Sequence, residues 1–313
     1  MTKHAWQAAL FSLALFLTHG LSAGDPFPPE LTRFQPAPNN PIFTAQGPGH
    51  WDVKMRERGW ILRDGDQWHL WYTGYDGTRE GLKMLGYATS PDGLAWTRVT
   101  TQAPLYREHW VEDMCVVKQG DAFYMFAEGY LDRAQLLTSP DGRQWTRQGV
   151  LDVRLRDGTP IADGPYGTPT AWYENGVWHL FYERRDLGVW LAKSNDLKVF
   201  TNVQDEPVLV PGPADYDKDM IAMNQVFQHD GRYYALLHGT KKSGDPSVPN
   251  QWTTNLAASS DLVHWEKSPH NPLRPVAENK SSGMIFPDGD RFRLYTTHDR
   301  VDVYWGPPRE SRE

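Results

Sequence analysis

Five glycines, spaced almost evenly along the chain, limit what it can fold into. Gly65, Gly120, Gly176, Gly231 and Gly289 are separated by 55, 56, 55 and 58 residues. Each sits in a short polar turn between two apolar, aromatic-rich runs: GWILRDGDQWHLWYTG, CVVKQGDAFYMFAEG, TAWYENGVWHLFYER, QVFQHDGRYYALLHG and MIFPDGDRFRLYTTH. Strand-length apolar segments joined by a tight Gly, Asp or Asn turn are β-hairpins. A hairpin recurring at a fixed period marks a repeat architecture.

A second signal follows four of the hairpins. Ser90–Trp96, Ser139–Trp145, Ser194–Phe200 and Ser259–Trp265 each begin with a Ser-x-Asp turn and carry an aromatic residue four positions after the Asp. Such a turn joins a third strand to a fourth, because the Asp side chain accepts hydrogen bonds from the backbone just ahead of it. Asp92, Asp141, Asp196 and Asp261 are therefore turn residues, and the aromatics are expected to pack between sheets. Four antiparallel strands repeated five times predict an all-β, five-bladed β-propeller.

The fifth unit runs out of chain after VDVYWG. Near the start, Asn40-Pro41-Ile42-Phe43 matches the segments that leave other blades, such as Ala103–Tyr106 and Glu206–Leu209. Residues 31–43 are thus expected to supply the outer strand of blade 5 and close the ring. The blades should run over residues 50–106, 107–154, 160–210, 215–275 and 278–308, within a single domain from 24 to 313.

The first 23 residues read as a secretory signal: Lys3 and His4, an apolar run from Ala8 to Leu17, then small residues at Ser22-Ala23-Gly24. The expectation is a secreted or periplasmic protein without a membrane span, since the apolar run is shorter than the roughly 20 residues a crossing needs. With 32 Lys and Arg against 39 Asp and Glu, the formal charge is -7. That balance argues against nucleic acid as a partner. The one cysteine, Cys115, lies in an apolar run and is expected to be a small buried hydrophobe. No cofactor is implied, and no metal motif occurs.

Propellers bind ligands at the channel mouth, where innermost strands begin and second strands end. Counting back seven or eight residues from each turn glycine gives Glu57 and Arg58, Glu112 and Asp113, Thr168 and Pro169, Met223 and Asn224, Ser281 and Ser282. The matching ends of second strands are Thr73, Glu128, Glu183, His238 and Thr297. Asp52 and Asp163 lie in loops within reach of the same mouth. The repeated pairs His50-Trp51 and His109-Trp110, just ahead of blades 1 and 2, suggest further lining residues. Carboxylates gather in blades 1 to 3, and glycosidic bond cleavage needs one carboxylic acid and one carboxylate.

The Ser-Pro-Asp-Gly-x-x-Trp turns, the Asp-Gly hairpins and the WYTG and LFYE strand ends resemble the five-bladed propeller glycosidases: arabinanases and xylosidases of glycoside hydrolase family 43 and invertases of family 32. The resemblance covers essentially the whole chain after residue 23. It implies three acids, one in each of the first three blades. Asp113 is similar to the supporting Asp of blade 2, with Glu112 beside it. For the nucleophile or base of blade 1, Asp52 and Glu57 compete, and Asp52 is preferred as a loop residue freer to turn into the channel. In blade 3, Gly167-Thr168-Pro169 stands where family 43 has Glu-Gly-Pro, so the general acid is expected to be Glu183, with Glu128 second. The invertase Asn-Asp-Pro-Asn motif is missing, which disfavours fructan chemistry.

Other readings remain open for these residues. Glu57 lies between Arg56 and Arg58, as a salt-bridged strand residue would, and Glu183 adjoins Arg184, Arg185 and Asp186, as a surface ion cluster would. The function expected is an exported glycoside hydrolase acting on a carbohydrate. A carbohydrate-binding propeller without catalysis, or a sugar phosphorylase or transglycosylase on the same fold, are the alternatives. Oligomeric state is not legible.

Overall fold

The computed structural model describes residues 25–309, so the expected leader lies outside the described residues. Five sheets are arranged as the blades of a propeller, antiparallel except where Asp152–Arg154 adds in parallel to the outer strand Val199–Asn202 of blade 3. Their innermost strands are Trp60–Asp64, Glu112–Gln119, Gly167–Glu174, Met220–His229 and Gly283–Asp288. The second strands are Gln67–Tyr75, Ala122–Gly129, Val177–Glu183, Arg232–Lys241 and Arg291–Thr297. All five hairpins close on two-residue loops. In blades 3 and 4 both loop residues are left-handed, Asn175 (φ 53°) and Gly176 (83°), Asp230 (48°) and Gly231 (74°), which is the type I′ pattern. In blades 1, 2 and 5 the glycine comes first, with φ of 59°, 59° and 61°.

The Ser-x-Asp turns do what their sequence implies. Asp92 Oδ1 accepts from the amides of Leu94 and Ala95 at 2.8 Å, and Ser90 Oγ accepts from Gly93 at 2.9 Å. Asp141 and Asp261 repeat the arrangement. These turns also bind blades together. Trp71 of blade 1 donates from Nε1 to Gly142 O of the blade 2 turn at 2.8 Å, and Trp145 of that turn meets the Trp71 ring edge-on at 6.0 Å. Tyr295 of blade 5 donates to Gly93 O of the blade 1 turn at 2.9 Å.

The ring closes as expected through the N-terminal segment. Gln35–Pro36 pairs antiparallel with Trp305 and Tyr304, and Phe43 bridges to Val301. The paired strand is only two residues long. Its neighbour Asn40 extends the pairing with its side chain, donating to Val303 O and accepting from Val303 N, both at 2.8 Å, and the main chain of Ala37, Ile42 and Phe43 bonds to the same strand. Between the sheets the buried apolar residues form three clusters; Trp71, Tyr72, Tyr87 and Phe126, almost wholly buried, belong to the largest, and Phe181 to another. Side chains of this size each contribute about 3 kcal/mol or more on removal from water. Cys115 is a buried free thiol in the largest cluster, pushed by burial up to about 12. Among the described residues no helix is long and apolar enough to cross a membrane.

Candidate active site

Each innermost strand begins with a distortion that aims side chains into the channel. Arg58, Asp113, Thr168 and Ser282, at equivalent places in blades 1, 2, 3 and 5, have φ of 55°, 50°, 47° and 59°. In blades 2, 3 and 4 the register slips at this point, between Glu112 and Cys115, Gly167 and Thr170, and Met223 and Gln225. A bulge with a left-handed residue turns a side chain out of the pleat and costs of order 1–3 kcal/mol of backbone strain. That strain recurs around the ring because the channel needs inward-pointing polar groups.

Above these bulges lies a pit of about 450 Å³, whose walls include Glu57, Asp113, Glu128, Thr168, Glu183 and His238. Behind this lining, Arg58 is 2% exposed and donates to Pro169 O at 3.3 Å and Thr170 Oγ1 at 3.0 Å. The guanidinium ties blade 1 to blade 3. Thr168 joins two acids, its amide donating to Glu128 Oε2 at 2.9 Å and its hydroxyl to Asp113 Oδ2 at 3.5 Å. Glu183 accepts from the amides of Gly167, at 3.2 Å, and of Asp186. Asp113 Oδ1, by contrast, is buried without a hydrogen-bond partner among the described residues.

Burial drives the protonation of this group. It raises the Asp113 carboxyl well above the ordinary carboxylate range; Arg58 pulls it back, while Glu57 and Glu112 push it further up. Glu128 is likewise raised well above that range, first by burial and then by Asp113, Glu112, Asp132 and Glu183. Glu183 is raised to about 7 by burial and by Asp186, against the two amides that favour its charged form. Glu57 goes the other way. Burial opposes its ionisation, but Arg56, the largest opposing cause, outweighs it and holds the carboxyl below its ordinary value.

The Arg56 guanidinium that keeps Glu57 charged is itself held. It lies 3.2 Å from Glu57 Oε1 and 2.8 Å from Glu112 Oε2. Trp110 Nε1 donates to the other Glu112 oxygen. Opposite, His298 is pushed down by burial and donates from Nδ1 to Ser281 Oγ at 2.7 Å. Asn279 fixes this tautomer: its Oδ1 accepts from Trp252 N, so its amide nitrogen faces His298 Nε2 at 3.4 Å. The pit therefore combines carboxyls biased towards protonation with one held as the anion. Such a set can donate a proton and stabilise or activate an attacking group in one place.

Several expected residues do not reach the pit. Asp52 is wholly buried behind it, 2.6 Å from Arg98 Nη1 and accepting from the Tyr72 hydroxyl at 3.1 Å. The loop preceding blade 1 folds inward against the blade instead of into the channel, which leaves Glu57 as the blade 1 carboxylate of the pit. Trp51 stacks on Tyr72 at 5.8 Å and donates to Thr100 O, so it packs rather than binds. His50 is exposed beside Gln46, and His109 beside Tyr106. Asp163 is exposed, its carbonyl facing Arg184. Trp110 and Glu112 stand one layer behind the lining, and so does Asn224, whose amide lies 3.2 Å from His238 Nδ1. Arg58 lies behind the lining, tied to blade 3.

Two lining acids were not anticipated. Asp132 and Asp186 follow the second strands of blades 2 and 3 in turns with two successive left-handed residues, Leu131 (62°) and Asp132 (52°), Arg185 (58°) and Asp186 (56°). Each stands close after a second-strand glutamate, Glu128 or Glu183. An Asp three or four residues beyond such a Glu was the available signal. Asp186 Oδ1 also lies 3.9 Å from His238 Nε2. Among the described residues, no three His, Cys, Asp or Glu side chains are placed to hold a metal ion.

With this geometry in hand, comparison with known proteins gives a consistent fold. No family model matches the chain. It is 25% identical over 201 residues to a 1,2-β-oligomannan phosphorylase of Thermoanaerobacter sp. (strain X514), covering 59% of this chain and 64% of that protein, somewhat less than two thirds of the relative's length. Among solved structures, a glycosyl hydrolase from Bacteroides ovatus superposes with a TM-score of 0.71 at 16% identity, covering 88% of this chain and 95% of the other. The β-1,2-mannobiose phosphorylase of Listeria innocua, in complex with β-1,2-mannobiose, gives 0.65 at 15%, covering 87% and 96%. A structure from glycoside hydrolase family 130, whose mannoside phosphorylases include hydrolases of β-1,2-mannosidic linkages, gives 0.69 at 16%, covering 87% and 93%. The fold is that of the five-bladed β-propeller glycoside hydrolases.

Proposed function

We propose that the protein breaks a glycosidic bond in the channel-mouth pit, with Asp113 as proton donor and Glu57 as the anionic partner. The observation that carries this reading is the state of Asp113: raised well above the carboxylate range, it keeps Oδ1 buried and unpartnered in a cavity that also holds an ionised carboxylate. A protonated Asp113 donates to the bridging oxygen as the bond to the sugar's anomeric carbon breaks. Glu57 then takes the proton of an attacking water or attacks that carbon itself. Glu183, the acid expected from the sequence, has both oxygens occupied by main-chain amides, so its part is to set the charge of the pit. Ser281 and His238 are placed to meet sugar hydroxyls.

Hydrolysis is the first form of this reading. Phosphorolysis is the second, supported by the oligomannan phosphorylase relative and by Arg185, exposed at the rim and without a salt bridge among the described residues. A guanidinium of this kind suits a phosphate oxyanion. The test is release of sugar from β-1,2-mannooligosaccharides and a panel of plant and algal polysaccharides, with and without phosphate, by wild type and Asp113→Asn. Turnover in water alone supports hydrolysis, and turnover only with phosphate, yielding a sugar phosphate, supports phosphorolysis. Binding without turnover by the wild type would leave a carbohydrate-binding propeller. Residues 1–23, read as an export signal, would place this activity outside the cytoplasm; sequencing of the mature N-terminus checks that reading.

A further inference from the structure

A second cleft adjoins the pit between blades 1 and 5. Its volume is about 630 Å³, and Arg56, Glu57 and His298 line both spaces. One layer of side chains therefore divides them, and that layer includes the charged carboxylate of the pit. The outer walls are polar: Lys54 is exposed, Asp299 lies opposite, and Arg300 gives Nε to Asp302 at 3.2 Å. Tyr75, the last residue of its strand, supplies an aromatic surface.

That surface is held still from behind. Lys83, 0% exposed, lies 4.5 Å above the Tyr75 ring and 4.4 Å above that of Trp110. Its ammonium is pinned by the carbonyls of Arg79 at 2.9 Å and Gly81 at 2.7 Å. A buried lysine clamped between two rings fixes the one that lines the cleft, and a fixed ring loses little entropy when a ligand stacks on it. A flat ring flanked by charged hydrogen-bonding groups matches a sugar, which has an apolar C–H face and a hydroxyl rim.

We propose that this cleft binds further sugars of the chain beyond those held in the pit, with Tyr75 as the stacking platform, so that the preferred substrate is a chain longer than a disaccharide. This rests on the glycoside-cleaving reading above. A chain that extends beyond the pit meets a further walled surface on the blade 1 and blade 5 side, where the cleft shares Arg56, Glu57 and His298 with the pit. By contrast, Leu187, next to the lining Asp186 of blade 3, is an exposed aliphatic side chain.

The experiment compares kcat/KM for di-, tri- and tetrasaccharides of one linkage, beginning with the β-1,2-mannooligosaccharides. The wild type is expected to favour the tetrasaccharide over the disaccharide by about tenfold, the worth of one good stacking contact. Tyr75→Ala should bring that ratio close to one, Tyr75→Phe should keep it, and Leu187→Ala should leave it unchanged. Arg300→Ala, at an exposed position, provides a second variant should Tyr75→Ala fail to fold, and should lower the ratio as well. A wild-type ratio near one, or a ratio lost in Leu187→Ala and kept in Tyr75→Ala, overturns the proposal while glycoside cleavage stands. If no saccharide of any length is cleaved by the wild type or bound by Asp113→Asn, the functional reading fails and the proposal falls with it.

Discussion

Glu128 and Glu183 face each other across Gly167. A Cβ at Gly167 would lie 2.0 Å from Glu128 Oε2 and 3.0 Å from Glu183 Oε1, so the two oxygens are no further apart than about 5 Å, the two distances laid end to end. The absent side chain leaves room for two buried acids from neighbouring blades to share a wall of the pit.

Gly167→Ala therefore tests the arrangement. Its methyl cannot be accommodated 2.0 Å from a carboxylate oxygen, so Glu128 must move. Because small displacements in a positioned site cost about 100-fold in rate, kcat should fall by that order while circular dichroism still reports a β-propeller.

Asp113→Asn removes the proton that the pit holds in reserve. Loss of a general acid lowers rate by about 10²–10⁴-fold, and the basic limb of the wild-type pH profile should lie above the ordinary carboxylate range because Asp113 is raised. An unchanged kcat in Asp113→Asn would assign the donor elsewhere.

Replacing Arg56 by Gln should shift the opposite limb. Without the guanidinium, the largest charge opposing burial is gone from Glu57, and its carboxyl rises. The acid limb of kcat/KM should move to higher pH, with a smaller shift in Glu112→Gln, which loosens Arg56 without removing it.

Stability should carry the signature of Glu183. Its carboxyl titrates at about 7 in the folded protein against 4.5 ordinarily, so between those values the folded state binds the extra proton and the unfolded state does not. Stability contributed by the protonated carboxyl is present below about pH 4.5 and is lost as pH rises towards 7. Thermal melts at about pH 5 and pH 8 should therefore differ less in Glu183→Gln than in the wild type.

Asp52→Ala separates structure from chemistry. It strands Arg98 beside Tyr72, and breaking a buried ion pair costs about 3–5 kcal/mol. The melting temperature should drop by several degrees, while the activity of the folded fraction stays within a few-fold of wild type.

The blades were legible in the sequence because their determinants are local. A two-residue turn with Gly65 or Gly231, and a Ser-x-Asp turn such as Ser90 to Asp92, specify their own backbone over four residues, and even spacing multiplies that signal five times. The closing strand was legible for the same reason, as a repeated segment found out of place. The inward-facing positions could be counted from the turns, so Glu57, Asp113, Glu128, Thr168, Glu183 and His238 were all found in advance.

What tertiary structure decided was which carboxylate faces which neighbour. Asp52 and Glu57 are five residues apart and equally acidic on paper, yet Arg98, 46 positions away, draws one into the core, and Arg56 together with Glu112 holds the other charged in the pit. Asp132 and Asp186 arrive through paired left-handed residues that no composition announces. A titration state depends on burial and on charges brought close from separate blades, and those distances exist only once the ring has closed.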